Sequence, residues 1–432
     1  MKTFNANFIL LASGRSVSGL GSAVFSFGMG LYVLDLTGSA AIFSLIFSMS
    51  VLPGILVNFF GGALIDKSDK KLLMVVSDIL SGFSVLAFLV IFKFYPRSIA
   101  VFIAYSIVLS LIQAVFSLTI SSSVPNFTNA ENIAKVNSTL QAVSAAISIV
   151  GPIVGAVAYR AAGLEILFLL YGVSLILAGI SEIFLVYVST SAEPASKAGK
   201  KSSYIEDIRV TFRYLGQNRI LAFFFIFAAV VNFIYNPLMF IVLPYVNYNQ
   251  IRVSGYQLSL IQASGAIGVI LSALVISMKK ALHKALLKRF FTLFTAQALL
   301  IILWMFPAIP LFKSGSKWSV TIVFCIILIL YGAMNTSQNI PMVTYFQLKI
   351  PDELRARVIG VFSSALYISS PFGIWIYGIL LEKIPWMYVT CMSGVLMLLI
   401  GTFASRNSRY REFLRQQDEK KEEQPVEIEA YS

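Results

Sequence analysis

The sequence predicts an all-α integral membrane protein, with twelve transmembrane helices in two pseudo-symmetric six-helix halves. Three observations predict it. Of the 432 residues 58% are hydrophobic and only 12% charged, and the mean hydropathy is +0.82. Soluble domains carry about 25% charged residues, so a water-soluble globule of this size would lack the charges to cover its surface. Disorder needs the opposite composition. The second observation is a series of apolar runs of about the 20 residues that a bilayer crossing requires. The third is a long polar gap that divides these runs six and six.

The first six runs lie at approximately 8–34, 40–65, 72–94, 98–121, 137–159 and 164–188. The second six lie at approximately 220–246, 257–278, 290–308, 318–347, 358–381 and 386–405. They are numbered here as spans 1 to 12. All are continuously apolar and lack the period-2 alternation of a membrane barrel. The first carries Arg15 and no small-residue cleavage site, so it reads as a retained helix and not as a signal peptide. The chain therefore divides into a first half (1–188), a cytoplasmic linker (189–219), a second half (220–405) and a tail (406–432). The linker opens rich in Ser, Ala, Pro and Lys. It continues with Ile205, Ile208 and Phe212 at helical spacing among charges, the pattern of an amphipathic helix on the membrane surface. The tail is basic and then acidic, with six carboxylates between 418 and 429, and reads as disordered.

Charge sets the orientation. With both termini and the even-numbered gaps on one side, that side holds 25 of the 33 Lys and Arg residues; the other holds 7, and Arg15 lies within span 1. The positive-inside rule then places both termini in the cytoplasm. The net charge of +13 sits between apolar runs and not on one basic domain, which excludes a nucleic-acid partner. A weak repeat supports the two halves. Glu131 to Val136 before span 5 and Glu353 to Val358 before span 11 share the form Glu-x-x-Ala-basic-Val. A small-Pro pair follows in each span, Gly151-Pro152 and Ser370-Pro371.

Catalytic and metal sites are not expected. The single histidine, His283, cannot supply a set of metal ligands, and Cys325 and Cys391 lie in apolar runs. The Gly-Lys-Lys-Ser ending at Ser202 lacks the leading glycine of a phosphate loop. No cofactor is implied. Energy for any transport must come from a gradient or a partner.

Between spans 2 and 3 stands Gly62-Ala-Leu-Ile-Asp66-Lys67-Ser-Asp69-Lys70-Lys71. A small residue allows close helix approach. An acid one turn later can face the positive end of another helix, and lysines in a tight turn can pair with carboxylates or lipid phosphates. This stretch resembles the signature of the major facilitator superfamily, with Asp69 where glycine is usual. The resemblance implies the major facilitator fold and a lock that holds the two halves together in the outward-open state. In that architecture the start of span 11 lies near Asp66, so Asp66, Glu353, Arg355 and Arg357 are expected to form the lock with Gly62, Lys67, Lys70 and Lys71. Glu353 and Arg357 are four apart and can pair on one helix face.

In span 5, Gly151 and Gly155 share a face, and Pro152 can bend the helix. Gly151-Pro152-Ile-Val-Gly155 resembles the core of the antiporter motif of drug-exporting members; ordinary small-residue packing is the competing reading. Ionisable residues within the bilayer are costly and point to function. They are Arg15 in span 1, Asp78 in span 3 and Glu182 in span 6, all toward the cytoplasmic third, with Asp35 at the outer end of span 1. These four are the proton or charge-relay candidates. A structural network for Asp78, snorkelling for Glu182 and an interfacial place for Asp35 are the alternatives.

In the family, spans 1, 4, 7 and 10 line the central cavity. The lining expected here is Gln113 and Phe116 in span 4, Asn232, Tyr235 and Asn236 in span 7, and Tyr331, Asn335, Gln338 and Asn339 in span 10. Aromatics with a few amides suit a bulky amphiphile better than a sugar or a phosphate; bridging between helices is the alternative role for the amides. Arg15, Asp78 and the Asp35-Leu-Thr-Gly-Ser39 stretch make the chain similar to the macrolide-efflux and siderophore-exporter branch. That resemblance implies a proton-driven, monomeric exporter of small amphiphiles in a bacterial cytoplasmic membrane, in contact with lipid. Beside it stand a dedicated exporter of one metabolite, siderophore or lipid, and a non-transporting membrane sensor or scaffold. Uptake also stands, since fold does not set direction.

Overall fold

The computed structural model describes residues 2–60, 65, 68–127, 133–186, 204–278, 282–309 and 316–422. Eleven helices among these are long and apolar enough to cross a membrane. One of them, Thr139–Glu182, is two spans. At 44 residues it would be about 66 Å long if straight, twice a bilayer core. It breaks at Gly163, where φ is +73° and ψ 178°, a conformation open to glycine alone at little cost. The crossings among the described residues therefore number twelve.

Local chemistry explains the boundaries. Span 1 is Lys2–Thr37. Span 2 is built in two pieces, Ala40–Met49 and Leu52–Phe60. Pro53 lacks the N–H to continue the first piece, and its ring would crowd the carbonyl of Met49. Asp69 closes the turn before span 3 (Lys70–Phe94): its carboxylate accepts from the Lys71 and Leu72 amides at 2.9 and 3.2 Å. The residue that departs from the family pattern is thus a helix cap. Span 4 is Ile99–Phe127. Span 7 begins as Arg219–Pro237 and continues to Gln250 through two π-helical turns on either side of Pro244. A proline that cannot donate to the preceding turn favours such widening. Spans 8 to 12 are Gly255–Met278, Phe290–Ala308, Lys317–Lys349, Asp352–Lys383 and Trp386–Arg406.

The helix pairings repeat between the halves. Spans 1 and 5, 2 and 4, 3 and 4, and 3 and 6 pack together in the first half; spans 7 and 11, 8 and 10, 9 and 10, and 9 and 12 do so in the second. Across the middle, span 2 meets span 11 and span 5 meets span 8, which is again a symmetric set. Each half has an aromatic core: Phe25, Tyr105, Phe168 and Tyr171 in the first, and Phe224, Phe227, Phe290, Phe291 and Phe294 in the second.

Of two surface segments, the linker forms a helix where the sequence predicts one, and the tail differs from the prediction. The linker helix, Tyr204–Gln217, buries Thr211 and Leu215 against the second half and leaves Phe212 exposed. Leu215 joins Leu221, Ile350 and Val358 in a small apolar cluster. The tail is not disordered through Glu422. Residues Ser408–Glu422 form a helix, started by the Asn407 carbonyl oxygen of its side chain accepting from the Arg409 amide at 2.9 Å. Tyr410 and Phe413, three apart, are buried at 4% and 0% exposure. Phe413 packs edge-on against Phe224 and Tyr345, and the Tyr410 hydroxyl donates to the Lys288 carbonyl at 3.1 Å. Burial pushes the Tyr410 hydroxyl up to about 12. Two buried aromatics, with Leu414 partly buried beside them, dock a helix that is otherwise polar. Residues 423–432 lie outside the described residues.

Candidate functional site

A cavity of about 600 Å³ lies between the halves. Its walls come from spans 1, 2 and 5 on one side and spans 7, 8 and 10 on the other, with no charged side chain in the lining. Tyr235 and Tyr331 form one wall, stacked with ring centroids 5.2 Å apart. Phe47 and Phe240 stack across the two halves at 5.2 Å. Asn335 also lines the cavity.

The remaining expected lining residues sit elsewhere. Asn232 and Asn236 hydrogen-bond each other along span 7. Asn339 donates to Asn335 at 3.1 Å along span 10 and stands outside the lining. Gln338 is buried and donates to the Phe290 carbonyl at 2.8 Å, so it bridges spans 10 and 9. Phe116 is buried with Leu11, Met74 and Leu185 within the first half. Gln113 donates to Ser81 at 3.1 Å and borders a separate chamber. Span 4 therefore gives nothing to this lining. Spans 2, 5 and 8 take its place through Phe43, Phe47, Ser148, Pro152 and Gln262. These helices are apolar all round, so the sequence holds no signal for which face meets the cavity.

The small residues of span 5 have a definite partner. A Cβ on Gly151 would lie 2.4 Å from that of Ala23, and one on Gly155 would lie 2.7 Å from the Val24 carbonyl oxygen. This close seam on span 1 turns Ser148 and Pro152 toward the cavity.

Arg15, Asp78 and Glu182 form one group inside the first half. Asp78 is 1% and Glu182 5% exposed. Neither oxygen of Asp78, nor Oε2 of Glu182, has a hydrogen-bond partner among the described residues. Arg15 is a charge acting on Asp78, and Asp78 acts in turn on Glu182. Such groups are costly to bury and call for a reason.

Asp35 is not part of that group. At the far end of span 1, its Oδ2 accepts from Tyr159 at 2.8 Å and from Tyr248 at 3.0 Å. Tyr159 belongs to the first half and Tyr248 to the second, so Asp35 ties them together. Other bonds join the halves near it. Asn249 donates to the Leu34 carbonyl at 3.3 Å. Oε1 of Glu382 accepts from the Ser39 hydroxyl at 2.5 Å and from the Ala41 amide at 3.2 Å. Deeper, the Ser48 hydroxyl donates to the Pro371 carbonyl at 3.2 Å. The two halves are thus closed on each other at the ends remote from the termini.

Of the expected lock, Gly62, Asp66 and Lys67 lie outside the described residues. Lys70 and Lys71 occupy the first turn of span 3, and Glu353, Arg355 and Arg357 the first two turns of span 11. Among the described residues no group of His, Cys, Asp or Glu could hold a metal ion.

Comparison with known proteins agrees with this architecture. Macrolide efflux protein A of Streptococcus pyogenes is 21% identical over 400 residues, which cover 91% of this chain and 94% of that protein. A bacterial homologue of the iron transporter ferroportin, solved in an inward-facing state, superposes with a TM-score of 0.68 at 16% identity, covering 93% of this chain and 98% of that one. The nucleoside transporter NupG superposes with a TM-score of 0.69 at 14% identity, covering 94% and 98%. The model of the Major Facilitator Superfamily matches residues 11–374. With twelve spans, repeated pairings and a cavity between its halves, the chain belongs to the Major Facilitator Superfamily and is a multi-pass membrane transporter, not an enzyme.

Proposed function

We propose that this transporter exports hydrophobic or amphiphilic compounds by alternating access, driven by proton entry. The observation that carries the reading is the uncharged cavity of about 600 Å³, walled by aromatic and aliphatic side chains from both halves. A carrier of phosphates needs fixed charge there, and a carrier of sugars needs many hydrogen-bonding groups. The relative named for macrolide efflux supports the same ligand class.

The buried acids support proton coupling. Among the described residues, Asp78 and Glu182 are the acids of the first half with buried oxygens that lack a hydrogen-bond partner, and a proton neutralises either without a partner. Asp35 sits apart, at the end where the halves are closed on each other. The 25-to-7 charge split supports cytoplasmic termini, and the streptococcal relative supports a bacterial cytoplasmic membrane. On that orientation the closed ends face outward and the cavity belongs to an inward-facing state. In the opposite state the outer bonds part, and Asp66, with Lys70 and Lys71, draws against Glu353, Arg355 and Arg357 at the inner end. Gly151, Pro152 and Gly155 keep spans 1 and 5 moving as one body. One chain contains both halves, so a monomer in contact with lipid suffices.

The test uses energised inside-out vesicles containing the chain. Proton release is followed on adding macrolides, dyes, siderophores and lysolipids. Several unrelated compounds should each trigger release, and Asp78→Asn should abolish it while compound binding persists. A response to one compound alone would instead favour a dedicated exporter. Silence from a correctly inserted protein would overturn the reading.

A further inference from the structure

At the ends remote from the termini, the halves leave a pocket of about 610 Å³ around Asp35. Spans 1 and 5 wall it on one side, and the end of span 7 and the start of span 8 on the other. Two opposite charges line it, Asp35 of span 1 and Arg160 of span 5, and both residues are exposed. They do not meet: among the described residues neither takes part in an ion pair. Both tyrosine bonds to Asp35 fall on Oδ2, so Oδ1 keeps its lone pairs. The Arg160 guanidinium has no hydrogen-bond partner among the described residues, although its charge acts on Tyr248 across the seam. A free carboxylate oxygen and a free guanidinium that line one pocket without pairing are complementary to a ligand carrying both signs of charge.

We propose that this pocket binds the headgroup of a phospholipid that carries a primary ammonium, with the phosphate on Arg160 and the ammonium on Oδ1 of Asp35. A guanidinium presents a fork of donors that matches phosphate oxygens. The ionised carboxylate only accepts, so it needs an N–H, which a primary ammonium has and a quaternary one lacks. The lipid source follows from the walls. Val157 lines the pocket and is 53% exposed, and Val154, one turn along span 5, is 41% exposed. The pocket thus adjoins an apolar strip on which acyl chains can lie. Tyr256 lines the other side at 44% exposure, an aromatic of the kind that gathers at the membrane interface.

The site has a consequence for the cycle. Its charges belong to the first half, while Tyr248 and Tyr256 complete its walls from the second. It is whole only while these ends are together. A lipid that binds it therefore favours the closed ends, because a ligand shifts an equilibrium toward the state that binds it better.

The test adds dioleoyl phosphatidylethanolamine to the delipidated full-length chain in detergent and measures binding by native mass spectrometry. Dioleoyl phosphatidylcholine, dioleoyl phosphatidylglycerol and water-soluble phosphorylethanolamine are the other arms. The ethanolamine lipid should bind about 10-fold tighter than the other two lipids. Arg160→Gln should weaken it about 10-fold, the effect of one lost charge-assisted hydrogen bond. Asp35→Asn, whose amide oxygen still accepts from a tyrosine, should erase the preference for ethanolamine. Since Arg160 is exposed and unpaired, Arg160→Gln should leave the melting temperature of the lipid-free chain unchanged. With nitroxides on Arg97→Cys and Lys317→Cys, and Cys325 and Cys391 replaced by serine, the ethanolamine lipid should raise the fraction of short distances, and Arg160→Gln should cancel that rise. Equal binding of the three lipids, or an affinity unmoved by Arg160→Gln, would make Arg160 a solvated arginine beside a water-filled cleft, and the proposal falls. Phosphorylethanolamine binding as tightly as the lipid would refute the membrane source. The export reading rests on the central cavity and is untouched by either failure.

Discussion

At the scale of single residues, the cost of a methyl group separates glycines that are structural from those that are incidental. Gly155 faces the main-chain oxygen of Val24, which cannot swing aside as a side chain can. A Cβ there, 2.7 Å from that oxygen, forces spans 1 and 5 apart. Gly360, in span 11, has nothing within 4 Å of the same atom. Gly155→Ala should therefore destabilise by about 1–3 kcal/mol, the usual cost of overpacking. Gly360→Ala should be neutral or stabilise by about 0.5–1 kcal/mol through helix propensity. Thermal melts in one detergent compare them directly, and equal melting temperatures would refute the tight seam. The same residues explain how a motif can look like simple packing and still shape function. Gly151 and Gly155 make the contact, and Pro152, one position from Gly151, then lines the cavity.

At the scale of elements, the tail helix shows what little apolar surface is needed for docking, and predicts how it can be undone. Phe413 is fully buried against Phe224 and Tyr345. Phe413→Ala removes contacts of a kind worth about 3–5 kcal/mol in a core, so the helix should leave the surface. A spin label at position 415 should change from restricted to mobile; a label that stays restricted would show that Tyr410 and Leu414 hold the helix without Phe413. The docked Tyr410 hydroxyl keeps its proton up to about pH 12, whereas an undocked one releases it near the ordinary 10.0. Docking should thus be indifferent to pH through neutrality and weaken only between those values, as the undocked form ionises first. What was legible in the sequence follows the same physics. The spans were legible because bilayer thickness fixes their length, and the boundaries of spans 3, 8, 9 and 12 fall within two residues of the expected ones. The tail helix was not, since Tyr410, Phe413 and Leu414 are only three apolar signals among charges. The division of span 2 was not read either, although Pro53 marks it. The cavity lining was legible only for Tyr235, Tyr331 and Asn335. A helix that meets lipid, neighbours and cavity with similar apolar faces does not record which is which, and Gln338 and Phe116 point into their own halves for that reason.

At the scale of the whole molecule, the two halves pack through spans 2 and 11 and spans 5 and 8, and most of the polar bonds between them gather at the ends remote from the termini. Glu382 reaches from the end of span 11 to the N-terminal turn of span 2, where it accepts from the Ser39 hydroxyl and the Ala41 amide. A carboxylate at a helix N-terminus is favourable, and this one is supplied by the opposite half, so the cap is lost whenever the ends part. Together with Asp35 on Tyr248 and Asn249 on Leu34, it adds directional polar bonds, those of the two carboxylates charge-assisted, to the apolar packing of Leu31 against Val253 and Leu258. Such a closure can be broken and remade in each cycle. Joining Ser39→Cys to Glu382→Cys with a short bismethanethiosulfonate, in a chain whose Cys325 and Cys391 are replaced by serine, holds the ends together. Transport should fall to background while ligand still binds from the side of the termini, and a reducing agent should restore transport. Continued transport by the fully cross-linked protein would mean that these ends do not part during the cycle, and the closure would then be a fixed hinge about which the opposite ends of the halves move.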